Sequence, residues 1–238
     1  MITHKVLFVL AVSLTLLARA DEPSTTPELV DYPVTRTYIP VGYDSNDRVQ
    51  VVVHGAFPNT CYKVGPYEVR QDQHTRSISI RQMAYRYGGV CMRMLVPFMQ
   101  VIDIGMLRDG DYRLYDAVAT KVVGRLPVSR ATRVSADEVL YAPVSDVTIQ
   151  DEGLTKYLVV SGHFGDACTR MKDVHIDYYP DVLVIRPIAD RSHPDRLCAQ
   201  VLRPFSQKVA LRSGLRGNFL LHVRVLNGQA INKIVGFP

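Results

Sequence analysis

The sequence predicts an all-β protein built from two tandem antiparallel sandwich modules, each closed by its own disulfide. Three observations predict it. Apolar residues alternate with polar ones over short runs, and no long stretch carries helical period. Turn signals recur at short intervals, ending with Asn227-Gly228 between Phe219–Leu226 and Ile231–Val235. The four cysteines fall into two pairs of thirty-residue spacing, offset by 107 positions.

That offset exposes an internal repeat, which decides the organisation. Gly55-Ala56-Phe57-Pro58-Asn59-Thr60-Cys61 matches Gly162-His163-Phe164-Gly165-Asp166-Ala167-Cys168. Cys91 to Phe98 matches Cys198 to Phe205, sharing Cys, Leu, Pro and Phe in register. Leu107 to Leu114 matches Leu215 to Leu221 with a one-residue slip, and Tyr38-Ile39-Pro40-Val41 matches Tyr141-Ala142-Pro143-Val144. The modules are expected over 37–127 and 138–238, joined by a polar linker at 128–137. In module 1, Val49 to Val53, Ser77 to Arg81 and Tyr112 to Tyr115 read as strands. In module 2, Tyr157 to Val160, Asp181 to Ile185, Lys208 to Leu211 and Phe219 to Val225 do so.

Residues 1–20 have the pattern of a secretory signal peptide: Lys5, an apolar run from Val6 to Ala18, then Ala18-Arg19-Ala20 as a small-x-small cleavage site. The run is short for a membrane span, and no later segment reaches spanning length. Residues 21–36 form a Pro- and Thr-containing lead expected to be flexible. The expected location is therefore outside the cytoplasm, periplasmic or secreted.

In such a compartment an even number of cysteines reads as disulfides. Four cysteines allow three connectivities, and the repeat selects Cys61–Cys91 and Cys168–Cys198, which keep each module autonomous. Each would close a loop worth about 3.7 kcal/mol in the chain-entropy account. Asn59 and Asp166, two residues before a cysteine, are expected to form Asx-turns. Phe57 and Phe164, Pro97 and Pro204, and Phe98 and Phe205 are expected to be buried framework.

These blocks, Phe57–Cys61, Cys91–Phe98 and Leu107–Leu114 with Phe164–Cys168, Cys198–Phe205 and Leu215–Gly228, resemble an exported bacterial β-sandwich domain of poorly defined function. The resemblance covers most of both modules. It implies an Ig-like sandwich outside the cytoplasm, although the buried Trp of immunoglobulin domains is absent, and it implies no catalytic residue.

Chemistry is sparse. The formal charge is +5, and removing residues 1–20 takes away Lys5 and Arg19 and no acid. The remaining basic residues are scattered, so nucleic acid is not an expected partner. No nucleophile elbow, zinc-protease motif, phosphate loop or dinucleotide fingerprint occurs, and no cofactor is expected. His54, His74, His163, His175, His193 and His222 form no close ligand pair. Five methionines fall between Met83 and Met106, and Met92 and Met94 on one strand face would offer thioethers to Cu(I).

Tyr85-Arg86-Tyr87 is placed in the loop before Cys91, opposite an unlike segment, Ser192 to Arg196, in module 2. Loops that differ on a shared scaffold carry specificity, and Tyr and Arg are enriched at interfaces. The expectation is a non-catalytic binding or structural protein whose partner is an envelope or extracellular protein or a glycan. The alternatives are an enzyme or enzyme inhibitor with a site at the module interface, and a Met-based copper protein.

Overall fold

The computed structural model describes residues 26–135, 137–192 and 197–238. The expected signal peptide lies outside the described residues. So does most of the Ser192–Arg196 segment.

The first sandwich contains β1 (Glu28–Asp31), β2 (Arg36–Tyr38), β3 (Tyr43–Asp44), β4 (Val49–Phe57), β5 (Tyr62–Asp72), β6 (Ser77–Arg86), β7 (Val96–Gly105), β8 (Gly110–Asp116) and β9 (Lys121–Ser129). The second contains β10 (Val144–Glu152), β11 (Thr155–Phe164), β12 (Thr169–Tyr178), β13 (Val182–Arg191), β14 (Arg203–Ala210), β15 (Gly217–Val225) and β16 (Gln229–Phe237). In the first, a β2-β4-β7 sheet faces one built on β5-β6-β8-β9, with β1 beside β6 and β3 beside β9. In the second, β10-β11-β14 faces β12-β13-β15-β16. Most pairs are antiparallel, as expected; β6–β8, β13–β15 and β3–β9 are parallel.

The two disulfides join Cys61 to Cys91 and Cys168 to Cys198. Both Asx-turns are present: the Cys61 amide donates to Asn59 Oδ1 at 3.0 Å, and the Cys168 amide to Asp166 Oδ1 at 2.8 Å.

The Gly and Phe shared by the matching sequence blocks have one steric cause. Gly55 lies opposite Phe98 in the β4–β7 register, and Gly162 opposite Phe205 in β11–β14. A Cβ on Gly55 would lie 2.5 Å from the Phe98 ring; one on Gly162 would meet Phe205 at 2.8 Å and the Pro143 carbonyl at 2.2 Å. Each ring lies over a bare backbone and packs on the next aromatic: Phe57 and Phe98 stack with centroids 4.5 Å apart, and Phe164 and Phe205 meet tilted at 4.6 Å.

Pro97 and Pro204 depart from expectation, being exposed. Both lie on edge strands, where a residue without an amide proton costs no ladder bond. The lead also departs, because β1 pairs with β6 and carries in Tyr32, which packs on Phe57 at 4.8 Å. Val128 and Ser129 of the expected linker belong to β9.

Each sandwich has its own core. The first is centred on Val49, Val51, Val53, Ile78, Ile80, Leu114 and Leu126, the second on Leu158, Val160, Leu183, Ile185, Leu221 and Val223. Between them lies a third apolar layer. Tyr38 and Val52 of the first sandwich pack on Val182, Val184 and Leu220 of the second, with Val101 and Ile234 against them. The molecule is therefore four stacked sheets with apolar side chains in all three gaps. Strands β4 and β13 of the two middle sheets are buried on both faces here, which is why Val51-Val52-Val53 and Val182-Leu183-Val184-Ile185 are continuous apolar runs.

The register isolates what makes this third layer. Ile78 and Ile80 of β6 occupy the places of Leu183 and Ile185 of β13, all facing inward. On the opposite faces, Ser77, Ser79, Arg113 and Tyr115 stand where the second sandwich has Val182, Val184, Leu220 and His222. Likewise Tyr38, Val52 and Val101 stand where the second sandwich has Thr148, Val159 and Lys208. Faces that stack are apolar, and the corresponding outer faces are polar, which caps the stack at both ends.

The sandwiches are stacked in opposite senses. Arg36, paired with His54 near the cystine end of β4, bonds Asp181 just before β13 at 3.1 Å. Gln50, farther from that cystine, meets Asn232, whose strand partner His222 pairs with Val184. Moving toward one cystine thus moves away from the other, and the two cystine ends lie at opposite poles.

If the third layer is structural, Leu220→Ala should destabilise the protein by about 2–5 kcal/mol, the range for buried leucines. Arg113→Ala, at the matching exposed place, should stay within about 0.5 kcal/mol. Urea unfolding of the oxidised chain measures both; equal effects would contradict the assignment.

Candidate functional site

The only buried cluster of ionisable groups at the junction among the described residues grows from two polar positions in an apolar strand. In Phe219-Leu220-Leu221-His222-Val223-Arg224-Val225, His222 and Arg224 share the face that looks toward the first sandwich. The tight segment from Gly42 (φ 85°) through Tyr43 to Asp47 meets them.

His222 is almost completely buried. Its Nδ1 lies 2.8 Å from Asn232 Oδ1, an acceptor, so Nδ1 carries the proton. The Tyr43 hydroxyl donates to the Gln50 carbonyl at 3.0 Å and lies 3.3 Å from Nε2, so the carbonyl and the imidazole nitrogen are the two acceptors facing its one proton. Asn232 Nδ2 donates to Gln50 Oε1 at 3.1 Å, and the Gln50 amide donates to the Tyr43 hydroxyl at 3.3 Å. The ring of contacts Gln50–Asn232–His222–Tyr43 closes on itself across the junction. Burial first, and the nearby Arg224 charge second, push the His222 pKa down to about 4, against the Asn232 hydrogen bond. Burial likewise pushes the Tyr43 phenol up.

Arg224 bonds the Gly42 carbonyl, lies 3.4 Å from Asp47, and sits over the Tyr43 ring at 5.2 Å. Burial works against its charge, but Asp47, Tyr141 and Tyr43 outweigh it and raise its pKa. Burial raises the Asp47 pKa while Arg224 pulls it down. These groups, with Asp137 and Tyr141, converge on a cavity of about 10 Å³, room for roughly one water. Titratable groups do converge between the sandwiches, around a space of that small size.

The expected binding residues lie elsewhere. Tyr85 and Arg86 are the last residues of β6, not a loop: Tyr85 is paired between Leu29 and Lys63, and Arg86 between Glu28 and Tyr62. The reason is β1, which extends the sheet to this point. Arg86 forms an ion pair with Glu28. Tyr87 donates its amide to the Cys61 carbonyl at 2.9 Å and lies under Lys63 Nζ at 5.1 Å. Ser192 makes the same bond to the Cys168 carbonyl. The true counterparts are therefore Asp190, Arg191 and Ser192. Arg86 is shared, whereas Tyr85 and Tyr87 are particular to the first sandwich.

Beyond Tyr87 the cystine segment exposes Val90, Met92, Met94 and Leu95; at the other pole Leu197, Val201 and Leu202 are exposed. Met92 and Met94 precede β7 in irregular chain, so they do not share a strand face, and Met83 is buried. The strand geometry invoked for a copper site is absent. Asp166 lies with Cys168 and Cys198 at metal-ligand spacing, but both sulfurs are in the disulfide and the carboxylate receives the Cys168 and Thr169 amides.

The model of the ORF11 beta-sandwich domain matches residues 51–115 and 158–235, one segment in each sandwich and more than half of the chain. The chain belongs to the ORF11 beta-sandwich domain family. The matched segments run from β4 into β8 and from β11 into β16, so this family's sequence signal covers the cystines, the Gly–Phe pairs and the junction strands other than β2. No curated protein and no solved structure matches.

Sequence reasoning did not find the His222 cluster. The available signal was a His and an Arg two residues apart on one face of an otherwise apolar strand.

The His222 environment sets a pH dependence. A folded pKa of about 4 lies below the unfolded value of 6.5, so the unfolded chain binds the proton more tightly. Stability from this group is full above about pH 6.5 and falls on acidification until about pH 4, by on the order of 3 kcal/mol. His222→Gln should remove that part of the slope. Urea midpoints of both proteins between pH 7 and 4 test it; parallel curves would contradict it.

Proposed function

We propose that the chain is an exported, non-catalytic binding protein, made of two copies of one Ig-like sandwich unit, whose partner docks at the cystine end of the first sandwich. The observation that carries this is the exposed apolar segment Val90, Met92, Met94 and Leu95 beside Tyr85 and Tyr87, held out by the Cys61–Cys91 bond. Tyrosines and exposed apolar side chains on a rigid, disulfide-braced end suit recognition of an envelope or extracellular protein. The disulfides fit an oxidising compartment, and no helix among the described residues is long and apolar enough to cross a membrane.

The enzyme reading draws on the convergence of Tyr43, Asp47, His222 and Arg224. Room for about one water beside them is the reason to prefer binding.

The test is retention of a partner from the native envelope on immobilised, oxidised protein. Tyr85→Ser combined with Tyr87→Ser should abolish retention while leaving the melting temperature nearly unchanged. Equal retention, or a large fall in melting temperature, would overturn the assignment.

A further inference from the structure

Ionisable groups are divided unevenly between the junction and the two cores. Among the described residues, the buried carboxylates, imidazoles and guanidiniums are Asp44, Asp47, Asp116, His222 and Arg224. Only Asp116 lies away from the junction, where its Oδ1 receives the Val118 and Ala119 amides in a turn of the first sandwich. His222 is the one buried imidazole among them. It is therefore the buried group that gains a charge when neutral solution turns acidic.

Every element packed around the imidazole bears on that charge. On its own strand Arg224 lies two residues on, and the Arg224 Nε has no hydrogen-bond partner among the described residues. Asp177 of β12 and Arg186 of β13 pair with each other at 2.8 Å. From the first sandwich, Asp44 receives the Asn46 amide, Asp47 turns to Arg224 at 3.4 Å, and Arg48 is paired with Asp103. Ahead of β10, Asp137 receives the Asn227 and Gly228 amides, and Glu138 lies 3.5 Å from the Tyr141 hydroxyl. On β16, Asn232 is neutral and Lys233 bonds the Val147 carbonyl. None of these carboxylates reaches ion-pair distance of His222, whereas the exposed His175 has Asp173 at 3.2 Å. A second proton on His222 thus puts an imidazolium beside the Arg224 guanidinium in a closed junction, with no anion of its own.

We propose that the junction is an acid-releasable latch: protonation of His222 separates the two sandwiches while each keeps its own fold. The new charge lies on the face between the sandwiches and inside neither core, so parting the faces returns it to water. Parting gives up only the third layer, with five buried apolar residues. Unfolding would also give up cores of fifteen and fourteen, each braced by its own disulfide. The docked imidazole titrates at about 4, against 6.5 for one in water. With the released chain at the latter value, docking weakens as the pH falls below about 6.5, by on the order of a hundredfold at pH 4. Asp47 acts in the opposite sense, because burial raises its pKa and its protonation favours the docked state. That opposing effect sets in only toward the ordinary carboxylate range. Release uncovers Tyr38 and Val52 on one sandwich and Val182, Val184 and Leu220 on the other, apolar faces that neutral solution keeps shut.

Small-angle scattering and far-ultraviolet circular dichroism of the full oxidised chain, titrated from about pH 7 to about pH 3, test the latch. The maximum dimension should grow on acidification while the β-sheet signal holds, and both should return to their starting values on neutralisation. His222→Gln keeps a donor and an acceptor for Asn232 and Tyr43 but cannot take the charge, so it should move the growth to lower pH. His175→Gln removes an exposed imidazole of the same sandwich and should leave the growth where it is. Loss of compactness and of β-sheet signal in one transition would be global unfolding and would overturn the proposal. So would an unchanged dimension down to about pH 3, or the same release pH in His222→Gln and the unaltered chain. Each readout follows the sandwiches without any partner present, so failure here leaves the cystine-end reading standing.

Discussion

The architecture depends on one contact layer, in which Tyr38 and Val52 meet Val182, Val184 and Leu220. Without it the chain would be two small domains on a tether, each with its own core and cystine. With it, the central strands of the middle sheets lose their solvent face, and β4, β13 and β15 must be apolar at consecutive positions. The layer also fixes polarity. It places the two cystine ends at opposite poles and leaves more polar faces at both ends of the stack. The contact is heterologous, using the β2-β4-β7 face of one unit and the β12-β13-β15-β16 face of the other.

The polar groups beside this layer follow from it. His222 and Arg224 lie on the strand face turned toward the first sandwich, so stacking removes them from water. Each then needs partners, and the first sandwich supplies them: Tyr43 and the Gln50–Asn232 link for the imidazole, Asp47 and the Gly42 carbonyl for the guanidinium. Truncating one partner would leave the other buried and unpaired, which costs more than the pair contributes. Such a network fits one relative placement of the sandwiches and no slipped one, whereas the apolar contacts alone would tolerate sliding.

Much of this was legible in the sequence, and the reasons are local. The repeat reported the cystines because pairing thirty residues apart is intramodular, and it reported Gly55, Phe98, Gly162 and Phe205 because a ring over a bare backbone constrains both residues at once. Comparing the repeats at constant offset failed at Tyr85. The path from Tyr62 to its partner Arg86 is two residues longer than that from Thr169 to Arg191, because the irregularity between β5 and β6 skips Gly65 and Pro66 on one strand and Met83 on the other, where that between β12 and β13 skips only Lys172. The cystines realign only afterwards. The junction was hidden for a different reason. A repeat shows what two units share, and the junction is made of what they do not: Val184 against Ser79, Leu220 against Arg113, His222 against Tyr115. Nor could a run such as Val51-Val52-Val53 reveal, by periodicity alone, which of its faces met a neighbour.

The central claim is that the two sandwiches form one rigid four-sheet stack. Residual dipolar couplings of backbone amides in the oxidised, weakly aligned chain test it most directly, because each rigid body reports its own alignment tensor. Couplings from β4–β9 and from β10–β16 should fit a single tensor, equal in magnitude and orientation. Two tensors of clearly different magnitude would show independent tumbling of the sandwiches and would contradict the stack.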